Sequence, residues 1–390
     1  MQERYDLIVV GAGPAGSWTA KTAAEYGLDV FLIERKPEIG VPLQCAEGVT
    51  KQGLEKFLEP EKKWVAKQLK GSYIYPPDET KIFIPQKKSK VGYILERKIF
   101  DRALVEKAVR KGVQVSIKTE VKGLLIEQGF VKGVQGLCFG KDFKVRADIV
   151  IGADGVVSNV GKWAGIDTKS EIMSCAQFLV AGIEIDSDYS EFYLGNEIAP
   201  GGYAWVFPKG EDTANIGLGI DSKRLNKGLT IFDYLQRFVK KKFSEGEIIE
   251  VISGGVPVAP IKRIVANGLM LVGDAARQVN PLTGGGIINA MEAGTMAGQV
   301  AVKAIERGDV SMEILREYQK SWHESMIGKH IIRMYKAKKV ITGFNNEDLN
   351  KIGHSLKEVD LEGVSSVDLL KILIGKNPRI LWNLRDLFKT

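Results

Sequence analysis

The chain has 390 residues, 44% hydrophobic and 26% charged, the balance of a folded globular protein with chain enough for two or three domains. Its net charge of +7 is mild for that length; it calls for no nucleic-acid partner and suits at most a weak meeting with an anionic surface. Three cysteines without CxxC spacing (Cys45, Cys138 and Cys175) exclude a disulfide framework and point to a reducing, cytoplasmic setting, and no apolar run is long enough for a spanning helix.

In chain order, residues 5–10 (YDLIVV) predict a buried parallel strand, too short for a secretory signal. GAGPAG follows, then a helix to about Tyr26 and a second strand, DVFLIE (29–34), which completes a β-α-β unit. A polar loop containing VPLQCAEGV leads to a helix near Thr50. Alternating segments between 72 and 95 predict antiparallel strands. Residues 96–111 predict a helix with Ile99, Phe100, Ala103, Leu104 and Ala108 on its buried face. Strands follow in VQVSIK and KVRADIVIGADG. Residues 175–221 and 248–258 predict long alternating strands of a second, antiparallel sheet. GLMLVGDAA (268–276) predicts one more buried strand, and a small-residue helix runs from Gly286 to about Arg307 before a mostly helical remainder.

The fold class is therefore α/β plus β. A Rossmann-like nucleotide-binding domain is assembled from 1–71, 96–174 and 264–310. An antiparallel β-sheet domain comprises 72–95 and 175–263, and a helical C-terminal region covers 311–390.

Glycine is in excess, 43 residues against 13 prolines, and it clusters. In Gly11-Ala12-Gly13-Pro14-Ala15-Gly16, Gly11 permits the turn after the strand and Gly13 lets a pyrophosphate approach the backbone. Gly16 lets helix pack on strand, and the first helical turn around Ala15 offers N–H groups to phosphate. Glu34, at the end of the second strand, is placed to accept from ribose hydroxyls. This motif does not separate NAD from FAD. Two later strand ends do more: Ala153-Asp154-Gly155, and Gly273-Asp274-Ala275-Ala276 followed by Pro281 and Thr283-Gly284-Gly285-Gly286-Ile287. An Asp after a buried strand can accept from sugar hydroxyls, and glycines opening a helix suit backbone contact with a flat ring.

These three segments, in this order, resemble the FAD-dependent superfamily typified by p-hydroxybenzoate hydroxylase. The resemblance implies FAD, with Asp154 and Asp274 near its sugar and ribityl parts and Gly285, Gly286 and Ile287 near its ring. It also implies that Arg97 reaches the phosphate or ribityl region and that Val121 meets adenine through its backbone. After Asp154-Gly155 related enzymes often carry Ser then Arg, whereas this chain reads Ser158 and then Gly161-Lys162. A lysine keeps the charge but loses the bidentate fork.

Two stretches, GVPLQCAEGV (40–49) and GGYAWVFPKG (201–210), resemble the geranylgeranyl reductase family, in particular archaeal enzymes that saturate digeranylgeranylglycerophospholipids. The resemblance spans nearly the whole chain. It implies an oxidoreductase acting on CH–CH groups, with a polyprenyl glycerophospholipid as substrate and an external electron donor. Ferredoxin, a deazaflavin or NAD(P)H would each serve. It also implies that Cys45, Ala46 and Gly48 touch the flavin. Tyr203, Trp205 and Phe207 share one side of a strand, either an aromatic core face or an apolar wall for a polyprenyl chain. Candidate proton donors are Cys45, Tyr203 or a water held by the glycine loop.

A basic cluster at 320–339 includes Lys329 and His330, with His323 nearby; it reads as a solvated helix face, or as a contact for a phosphate headgroup or for an anionic membrane met peripherally. The apolar final segments VDLLKILIG and RILWNLRDLF either pack on the core or admit lipid. His354 reads as a surface loop residue, and no His, Cys or carboxylate set has metal spacing. Two alternatives remain within the superfamily, an aromatic monooxygenase and a quinone-linked electron-transfer flavoprotein. The latter kind carries a four-cysteine iron–sulfur site, and no cysteine here lies beyond Cys175.

Overall fold

A computed structural model describes residues 2–85 and 92–357. The chain forms two compact units. The first is drawn from the described residues up to Leu43, Arg97–Glu171 and Pro257–Tyr335, the second from those of Gln44–Glu96, Ile172–Val256 and the described residues after Tyr335.

The first unit is built on an eight-stranded sheet whose centre is parallel. Strand Arg4–Val10 lies between Val30–Ile33 and Lys141–Gly152, with Leu7 opposite Val30 on one side and Ile149 on the other. Leu7, Ile8 and Val9 are wholly buried, as expected of a strand covered on both faces. Leu269–Leu271 extends the parallel set beside Lys141–Gly152, and Gln114–Ser116 extends it beside Val30–Ile33. The predicted strand 268–276 is thus shorter, because Gly273–Ala276 turns into a 3-10 helix. The turn-first helix Pro14–Glu25 and the long helix Ile287–Glu306 pack closely through small residues. A Cβ on Gly294 would lie 2.9 Å from Thr19 Oγ1 and 3.0 Å from the Ala15 carbonyl oxygen.

The second unit holds a seven-stranded sheet and a three-stranded one. In the larger sheet Tyr203–Pro208 pairs antiparallel with both Thr213–Ile220 and Tyr189–Tyr193, and Ile172–Ala181 pairs with Thr213–Ile220. One face of these strands carries Ala176, Phe178, Ala204, Val206, Ile216 and Leu218, all buried under helix Ile231–Lys242. That helix begins with a reciprocal cap between Thr230 and Asp233.

Several expectations change. Residues 44–71 belong with the second unit, because Gly48–Thr50 and Val65–Gln68 flank Gly92–Leu95 in the three-stranded sheet. Strand Gly71–Tyr75 pairs antiparallel with Ile82–Pro85 but parallel with Tyr189–Tyr193. The C-terminal helices do not form a third region. Leu315, Tyr318 and Trp322 of helix Met312–Glu324 join the core of the first unit, whereas Ile352 and Leu356 pack with Ile82 in the second. The helix Arg97–Val109 forms, but Ile99 is exposed and Arg97 is buried in its place. His354 lies on helix Asn346–Lys357 rather than in a loop, 2.7 Å from Asp78 Oδ2. The final apolar segments lie outside the described residues.

The close crossing of the two helices in the first unit yields a stability prediction. Gly294→Val should destabilise the protein by about 2 kcal/mol, since overpacking against fixed backbone forces the helices apart. Urea denaturation should show a lower midpoint with an unchanged slope; an unchanged midpoint would show that the crossing tolerates bulk.

Candidate functional site

In the first unit the three glycine-bearing strand ends meet. A Cβ on Gly11 would sit 2.3 Å from the Ala153 carbonyl oxygen, one on Gly16 would sit 1.9 Å from the Gly11 carbonyl oxygen, and one on Gly273 would sit 2.7 Å from the Ala15 Cβ. Only residues without side chains allow this approach. Gly13, by contrast, faces open space, with nothing within 4 Å of its would-be Cβ. It is the N-cap of helix Pro14–Glu25, which has no side-chain cap and no acid in its first turn. Open space before an uncapped helix N-terminus suits a phosphate.

The Glu34 carboxylate is held by two backbone donors, Ala12 N–H at 3.0 Å and Lys36 N–H at 2.9 Å. Strand Thr119–Glu127, which carries Val121, starts beside it, because Thr119 N–H donates to the Glu34 carbonyl at 2.9 Å. Asp154 accepts from Val160 N–H at 2.9 Å through one oxygen, while the other is buried without a hydrogen-bond partner. Asp274 lies beside the glycine loop, its Oδ1 3.6 Å from a would-be Cβ on Gly286. Burial pushes the Asp154 and Asp274 carboxyls above the usual range, and for Asp274 the charges of Arg97 and Arg277 pull the other way. Arg97 makes a buried bidentate pair with Asp101, both bonds 2.8 Å. Helix Ile287–Glu306 opens at Gly286, again without a side-chain cap. The turn before it is organised by Asn280, whose Oδ1 accepts from Leu282 and Thr283 N–H and whose Nδ2 lies 3.4 Å from His330 Nε2. Burial, with the charge of Arg333, lowers the His330 pKa and favours the neutral ring. His330 thus meets the glycine turn, whereas Lys329 is exposed.

The sequence reading passed over Arg277. This buried arginine follows Gly273–Ala276 and donates to the Val156, Asp274 and Thr168 carbonyls at 2.8, 2.7 and 2.5 Å. It ties the Ala153-Asp154-Gly155 turn to the Gly-Asp turn, a fixed link from a side of the chain other than Lys162. Its only sequence signal is a charge directly after a buried strand.

The second unit has its own arrangement. Tyr203, Trp205 and Phe207 lie on the sheet face away from the helix-covered core, so the aromatic stripe is not the core face. Opposite them on the next strand stand Gly219, Gly217 and Asn215. A Cβ on Gly217 would lie 2.4 Å from Trp205 Cζ2, so glycine here makes room for the indole. Phe192 closes the group, its ring 5.8 Å from Tyr203 and 5.6 Å from Phe207. The result is a largely apolar face, interrupted by the amides of Gln177 and Asn215. Trp205 Nε1 donates to Gln177 Oε1 at 2.9 Å, and Gln177 Nε2 donates to the Cys45 carbonyl at 3.4 Å. Gly48 lies against Phe207, 3.0 Å from would-be Cβ to ring. Burial pushes the Tyr203 phenol well above its usual range and the Cys175 thiol up to about 12.

Two more residues went unnoticed although each stands inside a quoted stretch. Glu47, between Ala46 and Gly48, pairs with Lys209, directly after the aromatic strand, at 2.6 Å. Both side chains are buried, and Asn215 Nδ2 donates to the same Glu47 oxygen at 2.7 Å. Among the described residues no group of three or more His, Cys, Asp or Glu side chains could hold a metal ion.

A parallel sheet, an uncapped helix at a glycine turn, an anchored acid at the end of the second strand and a second glycine turn beside a buried Asp are the frame of an FAD-dependent oxidoreductase. Residues 5–184 match the pyridine nucleotide-disulphide oxidoreductase family, and residues 171–256 match the geranylgeranyl reductase catalytic domain. The chain is 53% identical to the digeranylgeranylglycerophospholipid reductase of Methanosarcina acetivorans, over all of this chain and 97% of that protein. It is 50% identical to the protein of that name from Methanothrix thermoacetophila, over 98% of this chain and 99% of that protein. The crystal structure of a geranylgeranyl bacteriochlorophyll reductase-like protein from Thermoplasma acidophilum matches with a TM-score of 0.94 at 38% identity, covering 99% of this chain and 100% of that one. The chain belongs to the digeranylgeranylglycerophospholipid reductase family.

Asp274 offers a prediction with opposite signs in two assays. Its carboxyl binds a proton more tightly in the folded chain than in the unfolded one, so the ionised form costs stability at pH 7 and that cost fades as pH falls through the raised value. Asp274→Asn should therefore leave the flavin-free protein at least as stable at pH 7. It should weaken FAD binding by about tenfold or more, since a hydrogen bond to a charged acceptor is lost. Thermal melts without FAD and flavin-fluorescence titration check the two arms.

Proposed function

We propose that the protein saturates geranylgeranyl double bonds in archaeal membrane phospholipid precursors such as 2,3-bis-O-geranylgeranylglycerophospholipids. The observation that carries this reading is the aromatic and glycine face of the second unit, a largely apolar and partly buried lining with few directional donors. Such a surface suits a chain of isolated alkenes and is a poor fit for a phenol, which needs a directed partner for its hydroxyl.

Reduced FAD, when bound, supplies a hydride from N5. In the first unit, Gly13, Ala15 and Gly16 meet its pyrophosphate and Glu34 its adenosine ribose. Asp274, Arg97 and Asp154 serve its ribityl and phosphate parts, the Val121 backbone its adenine, and Gly285, Gly286 and Ile287 its ring. The protein's further task is a proton for the second alkene carbon, delivered without water. Cys45 is the better acid. Its sulfur accepts the Glu47 N–H at 3.2 Å, a bond that strengthens as the thiol gives up its proton. Tyr203 is disfavoured because its burial opposes the phenolate. Tyr203, Trp205 and Phe207 instead hold the polyprenyl chain and exclude water.

Electrons come from an external donor. The lipid is met at an anionic surface through Lys329, Arg333 and Lys336, exposed cations that share one face of helix Met326–Ile341. That contact is peripheral, and no helix among the described residues is long and apolar enough to cross a membrane.

Anaerobic enzyme reduced with dithionite should yield lipid heavier by about two mass units per bond saturated. Flavin reoxidation without a mass change, or oxygen consumption stimulated by a phenol, would overturn the reading. Cys45→Ala should lower the saturation rate on the order of a hundredfold with flavin retained, while Tyr203→Phe costs less than about tenfold. The reverse order would make Tyr203 the donor. Replacing Lys329, Arg333 and Lys336 together by Glu should weaken flotation with anionic vesicles at least about tenfold at low salt.

A further inference from the structure

Burying two full charges is expensive and often no better than burying an apolar pair, so the Lys209–Glu47 contact requires a local reason. The backbone at Glu47 supplies one. Its φ of 73° lies in the left-handed region, which a residue with a side chain adopts only when its surroundings impose it. Glu47 is held through both its side chain and its backbone. Its carboxylate Oε2 accepts from Lys209 Nζ at 2.6 Å and from Asn215 Nδ2 at 2.7 Å, and its carbonyl accepts from Leu95 N–H at 3.0 Å. Lys209 in turn donates to the Leu95 carbonyl at 2.7 Å and pairs with Glu96 at 2.8 Å. With the residue fixed at both ends, its N–H points back at Cys45 Sγ, 3.2 Å away.

We propose that Lys209 and Asn215 are positioning residues: by anchoring the Glu47 carboxylate they hold the Glu47 N–H on the sulfur of Cys45. Its consequence for catalysis rests on the reading of Cys45 as proton donor, but the geometry stands without it. An N–H aimed at sulfur favours the thiolate over the thiol. Lys209 adds a second effect, because it neutralises a carboxylate that would otherwise oppose a negative sulfur. From strand Ile172–Ala181 the neutral Gln177 donates to the Cys45 carbonyl, and Glu96, directly after strand Gly92–Leu95, shares Lys209 with Glu47.

The test is the pH dependence of iodoacetamide alkylation at Cys45 in the holoenzyme, read by peptide mass spectrometry with Cys138 as internal reference. In Lys209→Met the midpoint for Cys45 should rise by about one pH unit, roughly a tenfold slower reaction at a fixed lower pH, with the reference unmoved. Lys209→Arg, which keeps the charge, should restore most of the wild-type profile. Should Lys209→Met fail to fold, Asn215→Leu removes the second anchor and keeps the ion pair, and its profile should move in the same direction. An unmoved Cys45 profile in the folded variant, or an equal shift at Cys138, overturns the proposal. The readout needs no lipid. A protein that saturates no alkene yet shows the selective shift would sink the lipid reading and keep this one.

Discussion

Close approach of backbone to backbone, possible only where side chains are missing, is the constraint on which this molecule depends. In the first unit Gly11, Gly16 and Gly273 let three strand ends converge to distances that any Cβ would violate. That convergence brings an uncapped helix, the Glu34 carboxylate and the Asp274 turn into one nucleotide-binding face. In the second unit the same absence works laterally. Gly217 stands where a side chain would press on Trp205, so the indole packs against the sheet between Tyr203 and Phe207. One physical device thus makes a directional polar site in one unit and a nondirectional apolar one in the other.

Each of these sites then needs fixed polar links, and the chain provides them with buried charge. Arg277 ties two turns of the first unit through three backbone carbonyls, all acceptors that would otherwise need water. Glu47 and Lys209 tie the Cys45 loop to the end of the aromatic strand. A neutral hydrogen bond would orient these parts less firmly, because charge-assisted bonds are shorter and stronger. The cost is desolvation, which lowers the Arg277 pKa from its usual value and raises that of Asp274.

Much of the first unit was legible because its rules are local. A buried strand, a glycine turn and a helix lie within about twenty residues of one another, and each glycine has a steric reason that can be stated in advance. The sequence misled where an outcome depended on distant partners. Residues 44–71 follow the nucleotide-binding strands in the chain but pair with Gly92–Leu95, a segment that comes later. Alternation announced strand Gly71–Tyr75, yet alternation carries no direction, and its partner Tyr189–Tyr193 runs parallel. Helical periodicity placed Ile99 inside, whereas Asp101 one turn on gave Arg97 a bidentate partner and let the charge be buried instead.

The Glu47–Lys209 pair was the hardest feature to read for a sharper reason. Charged residues are surface residues by default, and these two stand 162 positions apart. Each lies beside residues that carried the resemblance, the cysteine loop and the aromatic strand, and each was passed over in favour of its more chemically suggestive neighbour. Yet reactive side chains act only from fixed positions, and a short loop between glycines has little to fix it. A loop that must present a thiol in an apolar setting therefore needs a nearby charge pair to fix it. An acid flanked by Ala46 and Gly48, with a lysine directly after an aromatic strand, is the sequence form of that requirement.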